Sequence, residues 1–396
     1  MKRRGDLAIR EFYEKFYKIP ASTQIRVSRE EFEKAYEEVP SKLVESLERA
    51  KENIEHFHRE QLPKKLWMCE VEPGVYVGQT WKPIDSVGVY IPGGKAPYPS
   101  TALMTTIPAK VVGVPKIIAC TPPSRGYNVN PSILVALDIV GVKEVYRVGG
   151  AHAIAAMAYG TETIPRVEKI VGPGGIWASV AKLIVQCDVA IDFIAGPTEI
   201  IIIADETANP KLIALDLLAQ AEHDQYASAI LLTPSRKVAL KVKEFMENLA
   251  SKSPRREILT KSLTNNCLIL IVKDLDEAIE FTNEYAPEHL EVIVNTDSEV
   301  VLSKIKNAGS ISIGTYTPAA LGDYVVGTNH VLPTSGWARR RGGLGVLDYM
   351  KIIDVQYVTP QGFKRIAGDA ITIADFEGFF GHALSIGERL RELSRG

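Results

Sequence analysis

The chain is predicted to be an α/β protein built on two Rossmann-like parallel sheets, and three features of its 396 residues carry that prediction. From residue 86 onward, short apolar runs alternate with amphipathic segments, the pattern of strands linked by crossover helices. The runs are rich in Val and Ile without apolar/polar alternation, as strands covered on both faces require. Most of them stop at Gly or Pro, where a strand turns into a helix. Composition agrees: 46% hydrophobic and 24% charged residues describe a globular chain with a sizeable core.

The elements follow in order. Between Ser28 and Leu62 the pattern is helical: Ser28 and Glu31 form a capping-box signature, and Leu43, Leu47, Ala50, Ile54 and Phe57 recur on one face. The expected strands are SVGVYIP, KIIACTPP, EVYRVGG, KIVGPGG, VAIDFIAGPTEIIIIADE, SAILLTP, NCLILIV, EVIV and SISIG. Amphipathic helices are expected over 235–250, 274–285 and 297–308. The Pro/Gly-rich IPGGKAPYPS beginning at Ile91 and the AGPTE turn at 195–199 mark two breaks. They imply an α/β domain of residues 90–198 inserted in a larger one, which comprises 1–89, with its helical N-terminal segment, and 199–344. The tail, 345–396, has helical pieces and little core of its own, so it is expected to pack on another subunit.

Charge and cysteines exclude several classes. Lys and Arg total 46 against 48 Asp and Glu, a net charge of -2, which gives no electrostatic case for nucleic acid. Arg339, Arg340 and Arg341 read as a solvated turn. Cys69, Cys120, Cys187 and Cys267 lie far apart without a CxxC pair, so neither a disulfide framework nor a cysteine zinc site is expected. The basic MKRRGDLAIREFYEKF is followed by no apolar segment, and no stretch reaches the roughly 18 to 20 apolar residues of a membrane span. A cytoplasmic location without membrane attachment is expected.

Four stretches could carry chemistry. The turns VYIPGGKAP, RVGGAHAIA and KIVGPGG each end a strand and could bring backbone amides to an anion, although none is GxGxxG or GxxxxGK[ST]. In LLAQAEHD, helical geometry puts Asp216, Gln220 and His223 on one stripe and turns Glu222 away, so Gln220 and His223 could offer an oxygen and an imidazole nitrogen to one ion. The plainer alternative is a histidine at a helix C-terminus beside a surface amide. Glu288 and His289 in NEYAPEHLEV are adjacent proton-transfer groups of different pKa, or else two solvated turn residues. In LGDYVVGTNHVLPTSG, Asp323 is a candidate oxygen ligand and His330 a candidate ligand or substrate contact. FEGFFGHALSIGERL adds Glu377 and His382.

Taken together, VYIPGGKAPYPSTALM, VGGAHAIAAMAYGT, IAGPTE, LLAQAEHD, YAPEHLEV, GDYVVGTNHVLPT and EGFFGHALSI occur in the order of the histidinol dehydrogenase family, which the chain resembles over nearly its whole length. The resemblance implies a zinc- and NAD-dependent enzyme that oxidises L-histidinol to L-histidine through L-histidinaldehyde, the last steps of histidine biosynthesis. It implies one zinc per subunit, held by Gln220, His223, Asp323 and the partner's His382, in a homodimer whose exchanged C-terminal tails complete the active sites. His289 would be the base of the first oxidation, and Glu288 would activate water for the second. Thr198, Gln220, His223, His289, Asp323, His330, Glu377 and His382 would contact the substrate.

Cofactor contacts are implied at Tyr90, and at His152 and Gly175, where the family's glutamine and asparagine have changed type. Thr198 replaces a serine and keeps the hydroxyl. Two alternatives remain beside this reading: a dehydrogenase on the same scaffold acting on another small polar alcohol, such as a sulfonated diol, and a zinc-binding protein without catalysis. Retention of His330 and Glu377 speaks against the first, and of Glu288 and His289 against the second.

Overall fold

The computed structural model describes residues 1–395 other than 21, 94, 95, 125 and 126, with the backbone alone for 17. Gly94 and Lys95 of the VYIPGGKAP turn therefore lie outside the described residues. Along the chain, helices α1 (Gly5–Phe12), α2 (Arg29–Glu38) and α3 (Ser41–Glu60) precede a hairpin of β1 (Leu66–Glu72) and β2 (Val75–Pro83). Next come β3 (Ser86–Tyr90), α4 (Pro99–Val112), β4 (Lys116–Cys120), α5 (Pro131–Val140), β5 (Glu144–Tyr146), α6 (Gly150–Tyr159), β6 (Lys169–Val171), α7 (Ile176–Val185) and β7 (Ala190–Ile191). The following stretch holds β8 (Glu199–Ala204), α8 (Pro210–Ala221), β9 (Ser228–Thr233), α9 (Arg236–Ala250), α10 (Arg256–Asn265), β10 (Cys267–Ile271) and α11 (Leu275–Tyr285). It continues with β11 (His289–Ile293), α12 (Ser298–Lys304), β12 (Ser310–Ile313) and the one-turn α13 (Ala319–Gly322). The chain closes with β13 (Met350–Val358), α14 (Pro360–Phe376) and α15 (Phe380–Arg395).

Two compact units result, one of Met1–Gln61 with Ile84–Tyr349 and one of Leu62–Pro83 with Met350–Gly396. These boundaries differ from those read in the sequence, because β2 pairs antiparallel with both β1 and β13 and so draws 62–83 into the same unit as the tail.

In the first unit both sheets are five-stranded and wholly parallel, ordered β5-β4-β3-β6-β7 and β10-β9-β8-β11-β12. Each starts at its centre, adds strands outward on one side, then switches to the other, the arrangement of doubly wound folds. The long run VAIDFIAGPTEIIIIADE, continuous in sequence, is divided between β7 of one sheet and β8 of the other. The four isoleucines of β8 explain why it lacks alternation: Ile200 and Ile202 pack with α8 and α9, Ile201 and Ile203 with α11, and none is more than 1% exposed.

The N-terminal helices pack on the first sheet rather than on the second. Phe32, Leu47 and Ile54 join Val87, Leu103 and Ile133 on one face, while Ile9 and Tyr13 join Ile118, Ile154 and Ile170 on the other. The capping box forms as predicted, Glu31 N–H donating to Ser28 Oγ at 3.4 Å and Ser28 N–H to Glu31 Oε2 at 2.9 Å. Arg341 is no solvated turn residue: its guanidinium binds both oxygens of Asp348 and lies over the Phe193 ring.

The second unit is a three-stranded antiparallel sheet with the α14–α15 pair. Gly74 holds φ at +84°, and a Cβ there would stand 2.9 Å from Gly362 N, so this turn admits only glycine next to the start of α14. Much of its apolar surface is uncovered within the chain: Trp67, Ile352, Tyr357, Phe376 and Phe380 are all exposed. Among the described residues no helix is long and apolar enough to cross a membrane.

One buried ion pair ties the GPGG turn to α7. Lys182 Nζ donates to Gly172 O at 2.5 Å and to Asp192 Oδ1 at 2.6 Å, and Asp192 Oδ2 accepts Gly172 N–H at 2.8 Å. Removing one member leaves a buried charge without its partner, so Lys182→Met should cost about 3 kcal/mol. Urea unfolding should show Lys182→Met with Asp192→Leu closer to the native value than Lys182→Met alone.

Candidate active site

The first unit holds a cavity of about 1100 Å³ lined by residues from both sheets. From the first sheet come the carboxyl ends of the strands and the turns beyond them: Pro92 after β3, Pro99 to Thr101 opening α4, and Gly174 and Gly175 before α7. From the second sheet come the opposite ends. Thr198 precedes β8, Glu288 and His289 open β11, and Gln220 and His223 lie where α8 finishes. After β12 the chain returns along the sheet, so that Asp323, at the C-cap of α13, and His330 complete the lining. Helix N-termini thus face the cavity from one side and a helix C-terminus from the other, favouring negative charge at one end and positive charge at the other.

A chain of hydrogen bonds organises the second-sheet side. Gln220, buried, donates Nε2–H to Thr198 Oγ1, and Thr198 donates its hydroxyl to Glu288 Oε2 at 2.5 Å. The same carboxylate oxygen accepts Glu199 N–H at 2.9 Å. With its nitrogen engaged, Gln220 keeps Oε1 for a ligand. His223 is arranged likewise: its Nδ1 lies 3.0 Å from Ala219 O, which fixes the proton there and leaves the Nε2 lone pair for a cation.

His330 spends both ring nitrogens internally. Nδ1 meets Asp323 O at 2.9 Å and Nε2 meets Thr101 Oγ1 at 3.1 Å, so it links the Asp323 turn to α4 rather than presenting a ring nitrogen to the cavity. Asn329 pins the same loop, donating to Met104 O at 2.8 Å and accepting Val331 N–H.

Burial tunes the two proton-transfer groups apart. Desolvation pushes the Glu288 carboxyl up to about 8 against the pull of Thr198 and Glu199, which favour its charged form. Desolvation also drives the His289 imidazole down to about 4, with Asp323 opposing, so the ring is neutral at pH 7 and its lone pair is available. A cation bound in the cavity would bring the raised Glu288 pKa back down.

The donors suit zinc in kind: an amide oxygen, an imidazole nitrogen and a carboxylate are hard and borderline ligands. Among the described residues no three His, Cys, Asp or Glu side chains cluster as a metal site. The opposite side suits a dinucleotide. No side chain caps α7, nothing stands within 4 Å of where a Cβ on Gly175 would lie, and Thr121 Oγ1 at the end of β4 is buried with no partner among the described residues.

Not every predicted residue joins the cavity wall. Tyr90 is buried, and its hydroxyl accepts Gly150 N–H at 3.0 Å, holding the start of α6. His152 stacks on Phe12 with ring centroids 3.6 Å apart, so part of the ring packs on α1. Glu377, the C-cap of α14, and His382, near the start of α15, belong to the second unit and are exposed there, His382 lying 5.1 Å from the Phe379 ring. Glu222 is a correction: it lines the cavity beside His223. The helical projection fails there because α8 ends at Ala221 and both residues sit in the turn beyond it. Thr101, Tyr98 and Tyr324 also line the cavity, and sequence reading overlooked them because no spacing rule relates 98–101 to 323–330.

The family model described as histidinol dehydrogenase matches residues 1–390. The chain belongs to the histidinol dehydrogenase family. A histidinol dehydrogenase of Methanothermobacter thermautotrophicus is 50% identical over 98% of this chain and 90% of its own, and one of Methanocaldococcus jannaschii is 48% identical over 99% and 90%. The crystal structure of histidinol dehydrogenase from Elizabethkingia anophelis superimposes with a TM-score of 0.94 at 39% identity, covering 98% of this chain and 89% of that one. As a family member the chain is an oxidoreductase of histidine biosynthesis.

The Glu288 carboxyl also makes stability pH-dependent. Its pKa in the folded state stands above the ordinary 4.5, so its stabilising contribution is complete below that value and is lost as pH rises through about 8. Unfolding of metal-free protein, compared at about pH 5 and about pH 9, should therefore show the native chain losing more stability than Glu288→Gln; parallel losses would contradict the assignment.

Proposed function

We propose that the chain oxidises L-histidinol to L-histidine through L-histidinaldehyde, with NAD as oxidant and one zinc per subunit held by Gln220, His223, Asp323 and His382 of a partner subunit. The observation that carries this reading is the arrangement of Gln220 and His223, each with one polar atom tied to the protein and the other left for a cation, beside Glu288 and His289. When bound, NAD would accept the hydride of each oxidation, and zinc would anchor the amino group and imidazole of the substrate.

His289 takes the hydroxyl proton as the alcohol carbon gives up hydride; its neutral ring suits that task. Glu288 then takes a proton from the water that adds to the aldehyde, and hydride leaves the resulting hydrate to give the acid. Thr198 and Glu199 favour the charged, basic form of Glu288. Thr198 has a second task, keeping Gln220 in the orientation that leaves its oxygen available. Glu377 and His382 would reach the partner's site, a reading supported by the uncovered apolar surface around Phe376 and Phe380.

An assay of NADH formation with L-histidinol, with and without chelator, tests the proposal and should yield two NADH per histidinol. Repeating it with NADP measures the effect of Gly175 and His152. Glu288→Gln should slow oxidation of added histidinaldehyde by about 100-fold or more while slowing the alcohol step less; equal loss in both half-reactions would contradict the division of roles. The shared site is checked by mixing. His223→Ala and His382→Ala chains, each inactive alone, should recover roughly a quarter of native activity after subunit exchange, because each heterodimer regains one intact site.

A further inference from the structure

Beneath the cavity lie two acidic side chains that the proposed reaction does not use. Along β11, Leu290 and Val292 pack on α11, whereas Ile293 packs with α8 and Ala319, so by strand alternation His289 and Glu291 share the face toward α8 and α13. Glu291 is only 2% exposed, in register with Ile202 of β8, which clusters with Leu217 and Ala319. Its Oε1 accepts the Ala319 N–H at 2.5 Å, and its Oε2 is buried without a hydrogen-bond partner among the described residues. Ala319 is the first residue of α13, and Asp323 is its C-cap. The Glu291 carboxyl therefore holds one end of a single helical turn whose other end presents a zinc donor.

Asp216 occupies the matching place on α8. It is one helical turn before Gln220 and on the same stripe, half-buried, without an ion-pair partner among the described residues. Burial raises its pKa to about 6, and its charge adds to the burial that raises Glu291 to about 8. The Glu291 carboxyl raised in this way keeps its proton at pH 7 and still offers its carbonyl oxygen to a backbone N–H.

We infer that Glu291 is a positioning residue one layer below the site: by holding the Ala319 N–H on the face of β11 that packs toward α8, it fixes α13 so that Asp323 stands at a set distance from Gln220 and His223. This rests on the reading of Gln220, His223 and Asp323 as zinc donors. Glutamine at 291 keeps an oxygen for the Ala319 N–H, whereas methionine fills the volume and offers none.

Zinc affinity measured by chelator competition, with amide hydrogen exchange of residues 320–323 on zinc-free protein, tests this role. Glu291→Met should weaken zinc binding by about 10- to 100-fold and speed exchange at 320–323, while Glu291→Gln stays within about twofold of native in both. Ala319→Pro, which removes the same N–H at a first helical position where proline is tolerated, provides the same contrast should Glu291→Met fail to fold, with an expected loss of about tenfold in zinc affinity. Native zinc affinity and native exchange in the methionine or proline variant would overturn the inference, as would a glutamine variant as weak as methionine. A native chain that binds no zinc, yet shows the exchange contrast, would refute the metal reading and leave the positioning role standing.

Discussion

Everything in the first unit is organised by the opposed polarity of two parallel sheets at one cavity. A parallel sheet with crossover helices has helix N-termini at its carboxyl edge and helix C-termini at its amino edge, and here one edge of each kind borders the same space. The rule that ligands bind at the carboxyl edge of such a sheet is therefore obeyed by the first sheet alone. Backbone dipoles favour a phosphate-bearing cofactor on one side and a cation on the other before any side chain is considered. The donors then follow their sheets: glycines and open amides near α7, imidazole, carboxylate and amide oxygen near α8 and β11.

Precision within that frame comes from hydrogen bonds that leave one atom over. Gln220 and His223 are each restrained through the atom that would otherwise compete for the ligand, which selects the amide orientation and the imidazole tautomer. Glu288 and His289 are adjacent in sequence but obtain opposite shifts from the same cause, since burial disfavours the charged form of either group. The result is a neutral imidazole beside a carboxyl whose ionisation is held in check until a cation is near. His330, which lines the same cavity, also braces Asp323 against Thr101. Glu291 extends the same logic one layer down, a buried acid that holds the first residue of α13.

The three added strands show what pattern reading cannot reach. β1, β2 and β13 were not anticipated, because β1 is exposed along its whole length within the chain and no apolar/polar alternation marks it. Conversely, β7 and β8 were read as one run because both are apolar; only the AGPTE turn signalled that the chain passes from one sheet to the other. The capping box at Ser28 was legible since it depends on residues three apart. Glu222 was misread for a related reason: projection along a helix holds only as far as the helix does.

What this sequence determined by itself was local: the two series of β and α elements, their helix caps, and the short blocks whose order matches the family. Those depend on periodicity and short spacing, which the chain displays directly. Only the tertiary structure decided that the N-terminal helices cover the first sheet, that 62–83 joins the tail, and that Thr198 links Gln220 to Glu288. These are contacts between residues far apart in the chain, set by which apolar faces pack together and which buried polar atoms must find a partner, and no one-dimensional pattern records them.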